Sequence, residues 1–232
     1  MIAGALLIAG IIGALAFGAV EHPLLAATAS LARIPPDAGR LSAGGLIEIA
    51  TALASAGIAI ALYPVLRNYS QGLALGAVAF RTIEAAMYTV AAVITLSLPG
   101  LARQYAQAAA PGHSGIQATA NALTGMREDA ILAGVLAYIT GALMYYSVLY
   151  RSRLVPRWLT GWGIAAEVLL LIACVSAAFS RTPVTSYTIL ILPIAVQEIA
   201  LAAWLILRGF SPRATLARTA TRPAPAANRD AA

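Results

Sequence analysis

The sequence predicts an all-α integral membrane bundle of six transmembrane helices. Three observations carry this. Hydrophobic residues make up 60% of the 232 positions and charged residues only 10%. Mean hydropathy is +0.82. The apolar residues fall into six runs of about the length that crosses a bilayer as helix. A soluble domain of this size cannot keep so much apolar surface from water, and only lipid accommodates it.

The runs are Ile2–Val20, Gly44–Leu66, Gly72–Leu98, Ala130–Tyr150, Trp158–Phe179 and Ser186–Leu207. The first has no basic residue before its apolar core, and that core is as long as a full span. It reads as a retained helix rather than a cleaved signal. The third exceeds the needed length, so it tilts or includes an interfacial turn. Residues 1–210 form one membrane domain. Ser211–Ala232, rich in Ala, Pro and Arg, is expected to be a disordered, solvated tail.

Orientation follows from arginine, because all 15 basic residues are arginine. Arg67, Arg151, Arg153, Arg157, Arg208, Arg213, Arg218, Arg222 and Arg229 fall on one side, nine in all. Arg33, Arg40, Arg103, Arg127 and Arg181 fall on the other, and Arg81 lies within a span. Basic loops stay in the cytoplasm, so both termini are expected there. Tyr145, Tyr146, Tyr150, Trp158, Trp162 and Trp204 fall near the same span ends, where aromatic rings favour the headgroup level. The net charge of +6 therefore reports topology, and no nucleic-acid patch is expected.

Two connections on the outer side are long, residues 21–43 and 99–129. The second carries Gln104, Tyr105, Gln117, Asn121 and Met126. It is expected to be mobile, with at most a short surface helix interrupted by Pro99, Pro111 and Gly112. No internal repeat is evident, although three spans per half would make an inverted pair.

Phosphate-binding glycine loops, nucleophile elbows and zinc-protease motifs are absent, and no cofactor is implied. Cys174 is a lone cysteine in an apolar run and reads as a small buried hydrophobe. His22 and His113 lie in the outer connections. Glu21 and His22 meeting Glu128 and Asp129 at a metal or hydrolytic site is a weaker reading than solvated loop residues.

The informative residues are charges inside the spans: Glu48, Arg81, Glu84, Glu167 and Glu198. A lone charge at the bilayer centre costs about 2.5–3.5 kcal/mol on insertion scales, so such groups seek partners or water. At about 1.5 Å per residue, Arg81, Glu84, Glu167 and Glu198 lie about 14–18 Å deep and can share one layer. Glu48 is about 6 Å from the outer end of its run and is open to hydration. Arg81 and Glu84 share a helix face, continued by Tyr88. Gln197 adjoins Glu198, and Pro193 is expected to loosen the sixth helix near it. One reading is a salt-bridge network that fixes helix packing. The other is a polar cavity for a proton, an ion or a small polar solute. One arginine facing three carboxyls leaves acid in excess, so at least one glutamate is expected to be protonated at neutral pH.

Phe80-Arg81-Thr82-Ile83-Glu84-Ala85 resembles a bacterial multi-pass family known as domain of unknown function 4386. Two further stretches extend the resemblance: Tyr150-Arg151-Ser152-Arg153-Leu154-Val155-Pro156-Arg157-Trp158-Leu159 with Gly161-Trp162-Gly163, and Leu192-Pro193-Ile194-Ala195-Val196-Gln197-Glu198 with Trp204 to Leu207, Gly209 and Phe210. With Ile2-Ala3-Gly4 it covers about residues 2–210. It implies six spans and marks Arg81, Glu84, Pro156, Arg157 and Glu198, but no activity. The family places a basic residue before the first span, which this chain lacks, so the natural start is expected upstream. It also prefers lysine where Arg208 stands.

Three functions fit these residues: binding or passage of a small polar solute coupled to protons, an accessory subunit with a structural charge cluster, and an intramembrane lipid-modifying enzyme with a glutamate base. The bilayer is the one partner the sequence names. It specifies neither a solute nor an oligomeric state.

Overall fold

The computed structural model describes residues 2–26 and 31–211, without the side chains of residues 17, 20–26 and 35. The expected tail therefore lies outside the described residues beyond Ser211, as do the side chains of Glu21 and His22.

The described residues form six α-helices: α1 Ile2–Ala26, α2 Ala38–Leu66, α3 Gln71–Gln107, α4 Ala110–Ser152, α5 Arg157–Ser180 and α6 Thr188–Leu207. Short 3-10 turns at Leu31–Arg33, Pro35–Asp37 and Val184–Tyr187 fill the connections. Helices α2, α3, α4, α5 and the Val184–Leu207 stretch are each long and apolar enough to cross a membrane. The apolar Ile2–Ala16 portion of α1 lies beside them. The chain is a multi-pass helical membrane protein.

Local chemistry sets the boundaries. The Ser70 hydroxyl accepts a hydrogen bond from the Leu73 amide and opens α3. Pro111 sits in the first turn of α4, where its missing N–H has no helical partner to lose. Arg153 and Arg181 adopt left-handed backbone (φ 56° and 52°) and end α4 and α5.

Each helix packs mainly on its sequence neighbours, and α1 closes the ring against α6. Short connections force neighbours to run antiparallel. The start of α1, the α2–α3 and α4–α5 turns and the end of α6 therefore share one face, the terminal face. Gly4 lies against Ala202 and Ile206 of α6 there. The Ser211 amide also donates to the Leu154 carbonyl (2.9 Å) on this face. The α1–α2, α3–α4 and α5–α6 connections form the opposite, hairpin face.

The segment 99–129, expected to be interrupted at Pro99, Pro111 and Gly112, is a helical hairpin. Helix α3 runs through Pro99 to Gln107, and α4 starts at Ala110. At 37 and 43 residues they are about 55 and 65 Å long, well beyond a hydrocarbon layer of about 30 Å. The segment is polar but holds helix because it has its own small core. Leu98, Ala102 and Ala120 pack with Leu31 and Ile34 of the α1–α2 connection and with Leu41 of α2. The Leu31 amide donates to the Gln117 side chain (3.1 Å), and the His113 ring stacks on Tyr105 (centroids 4.2 Å apart).

Two aromatic expectations change. Tyr145 and Tyr146 do not face headgroups. They are buried in the main core with ring centroids 4.5 Å apart. Tyr150 and Trp158 are exposed, as headgroup contact requires. Cys174 is buried in the same core.

Candidate functional site

A cavity of about 650 Å³ lies inside the ring, and all six helices line it. Most of its wall is apolar, from residues such as Leu7, Ile11, Ile58, Val135, Leu170 and Ile194. Two polar layers interrupt this wall.

The first layer contains Arg81, Glu84 and Glu198 with Tyr88 and Tyr138. The i, i+3 spacing brings Arg81 Nη1 within 3.1 Å of Glu84 Oε2, and both side chains are 3% exposed. The pair is oblique: Arg81 Nε and Nη1 and Glu84 Oε2 make no directed hydrogen bond. Ser55 of α2 donates to the other Glu84 oxygen (2.8 Å). The Arg81 guanidinium lies over the Tyr138 ring, 4.6 Å from its centroid, and the Tyr138 hydroxyl donates to Glu198 Oε1 (2.9 Å). Tyr138 of α4 thus links Arg81 of α3 to Glu198 of α6. Gly141 lets Arg81 lie this close, since a Cβ there would come within 3.2 Å of its side chain.

Glu167 is fully buried, off the cavity wall, and neither carboxyl oxygen has a directed hydrogen bond. Gln197 is also fully buried and off the wall. It accepts from the Tyr146 hydroxyl (2.6 Å) and donates to the Leu159 carbonyl (3.1 Å), joining α4, α5 and α6. Both hydrogen-bonding ends of Gln197 are thereby occupied within the protein. Pro193 does not break α6, which is continuous helix from Thr188 to Leu207. The proline stands in the second turn, so only a first-turn carbonyl loses its donor.

Sequence reasoning missed the second layer. Arg127, expected in an outer loop, is a buried residue of α4. Its Nη2 donates to both oxygens of Glu48 on α2 (3.3 Å each), and its Nε donates to Thr95 of α3 (2.8 Å). Glu128 lies 3.5 Å from Arg127 Nη1. Glu48 is not at a hydrated span end. Helix α2 begins at Ala38, which places Glu48 about 15 Å along it and 3% exposed. The usable signal was Glu48 itself, because a lone carboxylate in an apolar run calls for a cation at its own depth. The charges Arg127, Glu128 and Asp129 had instead been read as the end of the apolar run.

The two layers lie about 16 Å apart along α4, from Arg127 to Tyr138, and both open into the same cavity. Toward the terminal face, Gly4 closes α1 onto α6. On the cavity wall, a Cβ at Gly10 or Gly18 of α1 would meet nothing within 4 Å, while Gly13 between them lies against Thr51 of α2. Pro183, Val184 and Thr185 line the cavity toward the hairpin face. Among the described residues no group of three His, Cys, Asp or Glu could hold a metal ion.

These features define a helical multi-pass membrane protein with an internal, mainly apolar cavity crossed by two Arg/Glu layers. Residues 2–209 match the family model Domain of unknown function (DUF4386), and the chain belongs to that family. No curated protein and no solved structure matches it.

Proposed function

We propose that this protein binds a small solute bearing a polar group in the central cavity and moves it in exchange with protons. It would do so in a bacterial cytoplasmic membrane, spanning it six times with both termini inside. Arg81 and Glu84 support this reading most. They stand on the cavity wall almost without exposure, and they keep donors and an acceptor without directed partners. Such groups are costly to leave unmet in an apolar interior, and a polar solute in the cavity meets them. The orientation rests on the arginine asymmetry, which sharpens once Arg127 is removed from the outer count.

The Glu48–Arg127–Thr95 and Tyr146–Gln197–Leu159 contacts favour a second role for the buried polar residues, that of fastening helices. The empty volume beside Arg81 and Glu84 separates binding from fastening alone.

The test fills that volume. Gly10→Leu adds a side chain into open space on the wall and suits a helix better than glycine. In a thermal-shift screen of anionic, cationic and zwitterionic solutes, at least one should stabilise the native protein and not Gly10→Leu. A solute-independent melting temperature, or equal shifts in both proteins, would overturn the proposal.

A further inference from the structure

We infer that the solute of this cavity is an organic monocation with an apolar body, its charge held beside Glu198; this rests on the cavity being a binding site. The charges on the wall are unequal. Arg81 is paired with Glu84 and Arg127 with Glu48. Glu198 lines the same cavity, receives a hydrogen bond from the Tyr138 hydroxyl, and has no basic group within ion-pair distance among the described residues. Arg81 faces Glu198 across the Tyr138 ring but is itself paired with Glu84, and on the wall four carboxyls, Glu48, Glu84, Glu128 and Glu198, face two arginines, Arg81 and Arg127. An anion approaching either arginine meets the carboxylate already there.

A second observation points to a ligand independently of charge. Glu84 Oε2, on a side chain 3% exposed, makes no directed hydrogen bond and stands on the same wall. An ammonium or amidinium group supplies it a directed donor in competition with Arg81 Nη1, which lies 3.1 Å away and is equally without a directed bond. The Tyr88 side chain, also on the wall, adds an aromatic surface of the kind that attracts cations.

The rest of the wall sets the body of the ligand. Leu7, Ile11, Val135, Leu170 and Ile194 are among the wall's apolar residues. A small inorganic cation needs several converging ligands to replace its water, and among the described residues no group of three His, Cys, Asp or Glu could hold a metal ion. A weakly hydrated organic cation gains instead by burying its apolar groups there. The volume of about 650 Å³ falls within the roughly 300–1,000 Å³ of drug-sized sites.

The experiment compares two ions of nearly identical shape on the purified full chain in uncharged detergent. Tetraphenylphosphonium and tetraphenylborate are titrated by isothermal calorimetry against the native protein, Gly10→Leu and Glu198→Gln. The phosphonium should bind at least about tenfold more tightly than the borate and lose about tenfold or more in Glu198→Gln. It should fail to bind Gly10→Leu. Equal or tighter binding of the borate would overturn the inference, as would phosphonium binding indifferent to Glu198→Gln. Borate binding that Gly10→Leu abolishes would leave the cavity a binding site and remove only the cation. If neither ion binds, the cation assignment fails, and the solute screen alone judges the binding site. Should Glu198→Gln not fold, the comparison of the two ions on the native protein still decides.

Discussion

Removing Arg127 tests whether the buried layers hold the bundle together. Arg127 is 4% exposed and Glu48 3%, with guanidinium nitrogen 3.3 Å from both carboxylate oxygens. Two unit charges about 4 Å apart at an effective dielectric of about 20 attract by about 4 kcal/mol. Among the described residues Arg127 is the basic group paired with Glu48, so Arg127→Ala leaves that carboxylate uncompensated, and Thr95 Oγ1 loses the donor at 2.8 Å. Breaking one half of a buried pair costs about 3–5 kcal/mol. Glu48→Ala has a smaller cost, because Arg127 keeps Thr95 and lies 3.5 Å from Glu128. The double variant should lose less than the sum of the singles by about 1.5–4 kcal/mol. Polar contacts between membrane helices usually couple by about 0.6 kcal/mol, so the upper part of that range requires a dry pair. The assay is a double-mutant cycle on reversible unfolding in mixed micelles. Additivity within about 0.5 kcal/mol would refute the reasoning and mean that water already screens the pair.

Three further outcomes are expected. Gly163→Ala should destabilise by about 1–3 kcal/mol in the same unfolding assay, since its Cβ would come within 2.7 Å of the Tyr146 ring and 2.9 Å of the Gln197 amide; an unchanged midpoint would show that this corner is loose. Reporter fusions at Val155 and Ser211 should read cytoplasm and one at Gly115 the outside, and a cytoplasmic signal at Gly115 would break the six-span topology. Backbone amides of residues 101–105 and 116–124 should exchange with solvent on the slow scale of packed helices, and exchange as fast as in an open loop would show that the hairpin core does not form.

Much of this protein was legible in one dimension because a bilayer imposes a one-dimensional rule. Backbone polar groups in lipid must be satisfied within a helix, so long apolar runs become helices whatever surrounds them. Five of the runs read from the sequence correspond to helices long and apolar enough to cross a membrane, and the sixth lies in α1. The Arg81–Glu84 contact was likewise readable, since i, i+3 residues meet on any helix. The family resemblance also rests on such local strings.

Whatever depends on which helices touch was not legible. The apolar pattern stopped at Arg127, yet the helix did not, because Glu48 and Thr95 on two other helices supply the partners that let an arginine stay buried. The polar stretch 99–129 became helix because residues 31–41, distant in sequence, cover one of its faces. Glu198 and Gln197 are adjacent in the chain and about 100° apart around a helix. That rotation put one on the cavity wall and the other into a closed contact with Tyr146 and Leu159. Rise per residue is constant, so spacing along a helix can be read from sequence, but where the helix begins cannot, as Glu48 and Arg127 show. The direction of a membrane residue, its partner and the cavity it faces come from ring closure, where small residues such as Gly4 and Gly141 set how near the helices approach.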